Sequence, residues 1–269
     1  MVEEFLLGDL AWPDAEKAVE ADKVVLLPIG SLEQHGPHLP LDTDTVTAFE
    51  VCKMIGQKLP DQVVVLPPVY YTPAELSMEF SGTVDIRPTV FIDYLYDICV
   101  SMVKHGFRRI IMVSGHGLNP PFMNIVSQMV TNRHSAICAG VAYFDFAHDE
   151  VKKIISHGAH ACEFETSVLL ALRPENVQMS RAKKDWDIYM GLESSKYVWR
   201  SFIDRSPNYF IDRLDRFSET GIVGDPTKAT REKGERLLDV IIEDMVGFVK
   251  EFRSRPIAKP KKRKGRLPK

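Results

Sequence analysis

The chain has 269 residues, 45% of them hydrophobic, which is enough to form the core of one large α/β domain or of two small ones. Its formal net charge of -3 gives no overall reason to expect a nucleic acid or a membrane as the partner. No apolar run approaches the roughly 18 residues of a membrane span, no signal-peptide pattern opens the sequence, and the cysteines are scattered. The sequence therefore predicts a cytoplasmic protein with one domain over residues 1–254 and a basic, disordered tail over residues 255–269.

The predicted elements alternate between strands and helices. Four short, apolar segments rich in β-branched residues predict strands that are buried on both faces: "KVVLLPIG", "QVVVLPPVYY", "RRIIMVSGHG" and "SAICAGVAYFDF". Apolar residues at helical spacing predict helices in "TVTAFEVCKMIGQKL", "RPTVFIDYLYDICVSMVKHG", "PPFMNIVSQMVTNRH" and "CEFETSVLLALRP". After an irregular stretch over residues 181–224, "PTKATREKGERLLDVIIEDMVGFVKEFRSR" predicts one long amphipathic helix.

This alternation predicts a single α/β domain with a mostly parallel β-sheet covered by helices on both faces. In open sheets of this kind, ligands bind outside the carboxyl ends of the strands. Polar loops follow the first and third predicted strands at that edge, and their sequences are "SLEQHGPHLPLDTDT" and "SGHGLN". We therefore expect the functional site to lie where these two loops meet.

Three loops carry side chains that commonly bind metals, and the candidate ligands are Glu33, His35, Asp44, His116 and Glu163. Glu33 and His35 are two residues apart, so in an extended loop both would point into one pocket. The glycines on either side of His116 let the backbone approach a ligand closely. Mixed imidazole and carboxylate sets suit Zn²⁺, Mn²⁺ or Fe²⁺, and this set suffices for two ions if one carboxylate bridges them.

Two of these residues also have purely structural interpretations. Asp44 stands where a helix is predicted to begin, so it could serve only as an N-cap. Glu163 lies near the start of another predicted helix, where a carboxylate stabilises the helix dipole. The convergence of five such residues favours a metal site over five unrelated structural roles.

Three segments, "LPIGSLEQHGPHLPLDTDT", "SGHGLN" and "HACEFETS", resemble the signature segments of the creatininase (creatinine amidohydrolase) family, in the same order. A fourth segment, "GIVGDPTKATREKGE", resembles the family at the start of the last helix, so the resemblance covers residues 28–235. The resemblance implies a single α/β domain, a dinuclear site for zinc or manganese, amidohydrolase chemistry, and a homo-oligomer that is often a hexamer.

The resemblance also implies a role for each candidate residue. The implied metal ligands are Glu33 and His116 for one ion, His35 and Glu163 for the other, and Asp44 as the bridge. His160 matches the histidine that is treated in the family as the proton shuttle. His38 and Gln34 would support the loop, and Glu165 would orient or cap rather than react.

The sequence departs from creatininase itself. Leu118 stands where that enzyme carries a glutamate in the second segment, and Glu163 stands where that enzyme lacks one. The sequence "FSGT" replaces the common "FPGT" in a loop that is expected to line the substrate pocket. These features resemble the wider family, which includes a formamide hydrolase, a peptide peptidase and an inosose hydrolase, rather than creatininase proper.

The sequence thus predicts a metal-dependent hydrolase that cleaves the C–N bond of a small cyclic amide or formamide. A metal-activated hydroxide would attack the carbonyl carbon, and His160 would pass a proton to the leaving nitrogen. One alternative is the hydrolytic opening of a carbocyclic ketone such as an inosose, in which carbon leaves instead of nitrogen. A second alternative is a metal-stabilised scaffold whose basic tail, "KPKKRKGRLPK", binds nucleic acid.

Overall fold

The computed structural model describes residues 4–156, 158–185, 212–216 and 218–257. Its strands are β1 (Val24–Ile29), β2 (Val63–Val65), β3 (Arg109–Ser114) and β4 (Ile137–Ala142). Its α-helices are α1 (Trp12–Glu20), α2 (Thr43–Lys58), α3 (Pro88–His105), α4 (Pro120–Arg133), α5 (His148–Ile154), α6 (Glu163–Leu172) and α7 (Arg231–Ser254). The four predicted strands and five predicted helices are all present, whereas α1 and α5 were not predicted.

The four strands form one sheet in the order β2-β1-β3-β4, and every pairing is parallel. Strands that are consecutive in the sequence are joined by helices α2, α3 and α4, which provide the crossover connections that a parallel sheet requires. Because side chains alternate along a strand, Leu26 faces a core layer with α2, α6 and α7, whereas Leu27 faces a layer with α3 and α4. The predicted α/β fold with helices on both faces is therefore confirmed.

Helix ends follow local sequence signals. Helix α3 begins at Pro88, and Gly106 ends it in a left-handed conformation with φ 111°. Helix α7 begins five residues later than predicted, because Thr230 accepts a hydrogen bond from the Lys233 amide and thereby caps the helix. The preceding Pro226–Lys228 forms a separate short 3-10 turn.

None of the helices in the described ranges is both long and apolar enough to span a membrane. Residues 255–257 of the predicted tail follow α7, and residues 258–269 lie outside the described residues. Most of the irregular stretch predicted over residues 181–224 also lies outside them, namely residues 186–211 and 217.

Two glycines let the start of α2 lie directly against the ends of β1 and β3. A Cβ atom on Gly30 would lie 2.1 Å from the Thr45 hydroxyl oxygen, and one on Gly115 would lie 2.1 Å from the Asp44 carbonyl oxygen. Any larger residue would push the helix away from both strands. The close approach places Asp44 between the loop after β1 and the loop after β3.

Candidate metal centre

Six acidic and imidazole side chains meet at the carboxyl edge of the sheet: Glu33, His35, Asp44, His116, His160 and Glu165. All but His160 are buried, with residue exposures of 8% or less. The first two follow β1, Asp44 lies in the first turn of α2, and His116 follows β3. The structure thus brings together four of the five predicted metal ligands and the predicted proton shuttle.

Asp44 lies at the centre of this cluster. One of its oxygens is 3.0 Å from His35 Nε2, and the other is 3.0 Å from His116 Nδ1. The same His116 nitrogen is 3.0 Å from Glu33 Oε1. The N-cap position of α2 belongs to Asp42, so Asp44 does not cap the helix and its carboxylate faces the site.

The structure places Glu165, and not Glu163, in the cluster. Glu165 Oε2 lies 3.9 Å from His35 Nε2, whereas the Glu163 carboxylate bonds to the Lys233 ammonium at 2.6 Å and to Ser156. Residues two apart on an α-helix project about 200° from each other, so only one of the two can face the site. Glu165 therefore lies in the cluster, whereas Glu163, which was predicted as a ligand, lies outside it.

The potential ligand atoms form groups whose members lie within 4.8 Å of one another. One group is Glu33, Asp44 and His116, and another is His35, Asp44 and Glu165. Each offers two carboxylates and one imidazole, and Asp44 belongs to both. A third group joins Glu33, His35 and His160. Two ions that share the Asp44 carboxylate fit this arrangement.

Two buried polar atoms that lack hydrogen bonds in the described ranges indicate that a cation suits the cluster. Asp44 Oδ2 and His116 Nε2 are both buried and make no hydrogen bond to the described residues. Within the described part of the chain, histidines are the only ion-pair partners of the Glu33, Asp44 and Glu165 carboxylates. Three buried carboxylates need more positive charge than neutral imidazoles supply, and divalent cations would provide it.

The acidic surroundings change the proton affinity of the histidines. Burial alone would lower the pKa of His35, but the Asp44 and Glu165 carboxylates outweigh it and raise that pKa to about 10. Burial likewise opposes the carboxylates around His116, where Glu33 and Asp44 raise the pKa well above its usual value. Burial raises the pKa of Glu165 to about 7. In the metal-free protein, both histidines therefore carry protons at neutral pH.

These protons must leave when metal binds, because a ligating imidazole is neutral. We expect Zn²⁺ binding at pH 8 to release about two protons per chain, one from each of His35 and His116. Calorimetric titration in buffers of different ionisation enthalpy measures this number. The His35→Gln variant should release about one proton fewer. A heat of binding that is the same in all buffers would contradict the prediction.

His160 is held so that one ring nitrogen faces the cluster. Its Nε2 lies 2.8 Å from the Gln34 carbonyl oxygen, to which it donates, and its Nδ1 lies 3.7 Å from Glu33 Oε1. The Gln34 side-chain amide also lies 2.9 Å from Nε2, but this amide has its own acceptor in the Gly221 carbonyl. Desolvation of this partly buried ring and the neighbouring His35 charge lower the pKa of His160 to about 4 in the metal-free protein, so the ring is neutral there.

Other side chains form hydrogen bonds to the cluster or within the loop that carries its ligands. The Ser77 hydroxyl donates to Glu33 Oε2 at 3.0 Å, although 44 residues separate them in the sequence. His38 Nε2 lies 2.9 Å from the Thr166 hydroxyl, a contact that is compatible with its predicted supporting role. Gln34 accepts a bond from the Gly36 amide, as predicted for a residue that stabilises the loop. No pattern in the sequence indicated Ser77, because its contact depends on the tertiary fold.

A cavity of about 690 Å³ is lined by residues that are close in sequence to cluster residues, although none of the six cluster residues lines it. Leu118 lines it two residues after His116, and Leu76 and Met78 line it on either side of Ser77. Residues between 73 and 88 supply seven of its lining residues, but residues 80–83, which form the "FSGT" sequence, are not among them. Asp212, Arg213 and Arg216 contribute from the opposite side. The volume lies within the range of pockets that bind small molecules.

The family model described as creatinine amidohydrolase matches residues 8–249. The chain belongs to the creatininase family. Creatinine amidohydrolase from Pseudomonas putida is 26% identical over 277 residues, which cover 93% of this chain and 98% of that protein. A solved structure of a mutant creatininase has a TM-score of 0.78 and 25% identity, covering 93% of this chain and 100% of that one.

Two further relatives have different substrates in their descriptions. The mycofactocin precursor peptide peptidase of Mycolicibacterium smegmatis is 31% identical over 237 residues, covering 85% of each chain. The 3-dehydro-scyllo-inosose hydrolase of Thermotoga maritima is 24% identical, covering 86% of this chain and 78% of that protein. The relatives are all hydrolases, and their distance fits a member outside creatininase proper. Family membership and the ligand cluster together support a metal-dependent hydrolase.

Proposed function

We propose that this protein hydrolyses the C–N bond of a small cyclic amide or formamide with the help of two divalent ions. The observation that carries the proposal is the pair of ligand groups that share Asp44, with His160 Nδ1 3.7 Å from Glu33 Oε1. Glu33 and His116 would hold one ion, and His35 and Glu165 would hold the other. The ligand types suit Zn²⁺ and Mn²⁺, and also Fe²⁺.

Divalent ions in such a site polarise a carbonyl group and make water more acidic. The chain's own residues manage the protons. His160 Nδ1 faces the cluster and is unprotonated at rest, so it can take a proton from the attacking water and give it to the leaving nitrogen. The Gln34 carbonyl holds the opposite ring nitrogen, which keeps the ring oriented through both transfers.

A C–N bond is favoured because two of the similar proteins are described as an amidohydrolase and a peptidase. The cavity of about 690 Å³ supports a small substrate. The peptidase is the relative at 31% identity, so cleavage of a peptide bond is the second candidate. Opening of a carbocyclic ketone is the third, supported by the relative from Thermotoga maritima.

A product assay tests these candidates. The protein loaded with Zn²⁺ or Mn²⁺ is incubated with cyclic amides, N-formyl amines, short peptides and cyclic ketones, and products are identified by mass. Amide or formamide hydrolysis adds one water and exposes a new amine, whereas ring opening of a ketone adds water without a new amine. Turnover of peptides or ketones alone would overturn the primary proposal in favour of the corresponding candidate.

Substitution of the two neighbouring glutamates should separate their roles. We expect Glu165→Gln to reduce bound Zn²⁺ from two ions per chain to about one, because it removes a ligand carboxylate. Glu163→Gln should retain two ions at saturating Zn²⁺, because that side chain bonds to Lys233 instead. Elemental analysis of the loaded, gel-filtered proteins measures both. The reverse pattern would show that Glu163 is the ligand.

We also propose a homo-oligomer, for which the family resemblance suggests a hexamer. Val90 and Tyr94 on α3 and Ile125 on α4 are large apolar residues with exposures of 40%, 49% and 44%, and such side chains support self-association. Light scattering after gel filtration measures the assembly. The scaffold alternative, with a tail that binds nucleic acid, would be supported by binding that weakens steeply with salt.

A further inference from the structure

Glu163 and Lys233 form an ion pair beside the candidate metal centre. The Glu163 side chain is 3% exposed, and its Oε1 lies 2.6 Å from the Lys233 ammonium. These residues belong to different helices, α6 and α7, and are 70 positions apart. Neither belongs to the ligand groups, so the metal site alone does not explain the pair.

The Glu163 carboxylate also anchors the loop that carries His160. Its second oxygen accepts hydrogen bonds from the Ser156 amide at 3.1 Å and the Ser156 hydroxyl at 3.0 Å. Ser156 lies just after α5, at the beginning of the loop that leads to α6. One buried carboxylate therefore joins the start of this loop to Lys233.

The far end of the same loop is bound to the metal centre. The Ala161 amide donates to Glu165 Oε2, and the His160 carbonyl accepts a bond from the Val223 amide at 2.8 Å. Ala161 has φ 51°, a left-handed conformation that L-residues adopt only when the surroundings impose it. The position of His160 and Glu165 thus depends on how tightly both ends of the loop are held.

Lys233 is itself fixed in place. Its ammonium also donates to the Lys228 carbonyl at 2.8 Å, and its backbone amide donates to the Thr230 cap. The next residue, Gly234, allows α7 to pack tightly on α6, because a Cβ atom there would lie 1.9 Å from the Ser167 carbonyl oxygen. The ammonium is consequently a rigid counter-charge rather than the end of a freely moving surface lysine.

Resting on the proposed function, we propose that the Glu163–Lys233 pair is a positioning device that holds the His160 loop against the metal centre. Without Lys233, the Glu163 carboxylate would be buried without its counter-charge, and burial of a lone charge is strongly unfavourable. The loop would then move to hydrate that carboxylate. His160 and Glu165 would lose their orientation, although neither residue was changed.

The test compares Lys233→Met, Lys233→Arg and Glu163→Gln with a matched control, Arg231→Met. Arg231 pairs with Glu235 at 2.8 Å on the same helix, but both side chains are more than half exposed and contact no part of the loop. The first readout is the affinity for Co²⁺ and the absorption spectrum of the Co²⁺-loaded protein, neither of which needs a substrate. The second is kcat and KM for any amide that the wild type hydrolyses.

We expect Lys233→Met to weaken Co²⁺ binding and to lower kcat by about 10- to 100-fold each, as loss of an outer-shell contact typically does. KM should change less than about twofold, because substrate contacts are retained. Lys233→Arg should recover most of the loss, and Arg231→Met should match the wild type. In the double variant Glu163→Gln/Lys233→Met, part of the Co²⁺ affinity should return, because no buried charge remains unpaired.

Unchanged Co²⁺ affinity and spectrum in folded Lys233→Met would overturn the proposal. If Lys233→Met does not fold, the Co²⁺ affinity and spectrum of Glu163→Gln test the proposal instead. The amide oxygen of this variant can still accept a hydrogen bond from Ser156, whereas the ion pair with Lys233 is lost. Wild-type protein that binds Co²⁺ but hydrolyses no amide would refute the proposed function alone, since the Co²⁺ readout would still test the pair.

Discussion

The Asp44→Asn variant is expected to lose both metal ions and to hydrolyse amides at least about 10³-fold more slowly than the wild type. Asp44 is the residue shared by the two groups that each contain two carboxylates and one imidazole. Its two oxygens lie 3.0 Å from His35 and 3.0 Å from His116, so an amide in its place would remove one negative charge from both groups at once. The amide would also present an NH₂ group to one of the ions.

Elemental analysis after loading with excess Zn²⁺ measures the loss directly. Asp42→Asn is the matched control, since Asp42 lies two residues earlier, at the N-cap of α2, and pairs with Arg173 at 3.2 Å outside the cluster. The control should bind two ions and retain its activity within about twofold, because exposed ion pairs contribute little. An Asp44→Asn protein that still binds two ions would show that another group bridges them.

Much of the fold could be predicted because its strands have an unambiguous composition. Segments such as "RRIIMVSGHG" are short, apolar and β-branched, and they alternate with longer amphipathic segments, which leaves a parallel sheet as the natural arrangement. The two helices that were not predicted are short and bury few residues. Helix α1 buries only Ala18, and α5 is seven residues long and buries only Val151.

Four of the five candidate ligands that the sequence indicated lie in the cluster, because the loops after β1 and β3 and the start of α2 meet at the edge where parallel sheets place their functional loops. The sequence could not show whether Glu163 or Glu165 faces the cluster, because both lie in the first turn of α6 and both carry a carboxylate that could bind a metal. The rotation of α6 decides between them. Phe164 is buried in the core, and Glu163 pairs with Lys233, which lies 70 residues later in the sequence. These contacts orient α6, and neither can be inferred from the local sequence.

The cavity illustrates a different limit of sequence reasoning. Its walls come from three stretches that are far apart in the sequence, residues 73–88, 118–122 and 212–216. Arg213 pairs with Glu79 at 2.6 Å across this space, so the charge presented to a substrate depends on tertiary contacts. Family membership fixes the class of chemistry, whereas the substrate depends on walls such as these.

The second large effect is expected at His160. The His160→Ala variant should retain two Zn²⁺ ions per chain while kcat falls by about 10²- to 10⁴-fold, the usual range for loss of a general acid–base group. Its Nδ1 lies 3.7 Å from Glu33 Oε1, close enough to act on groups in the cluster. In the metal-free protein the pKa of its ring is about 4, so the ring is unprotonated at neutral pH.

Because His160 also belongs to a potential ligand group with Glu33 and His35, metal content must be measured alongside kcat. Loss of an ion together with activity would make His160 a ligand, and near-full turnover would exclude it from proton transfer. His134→Ala provides the control, because that imidazole bonds to Tyr96 at 3.0 Å at the end of α4, away from the cluster. Substrates whose leaving nitrogen is already acidic need less protonation, so they should lose less rate in His160→Ala than basic amines do. That graded response is specific to proton donation, and a purely structural defect would slow all substrates alike.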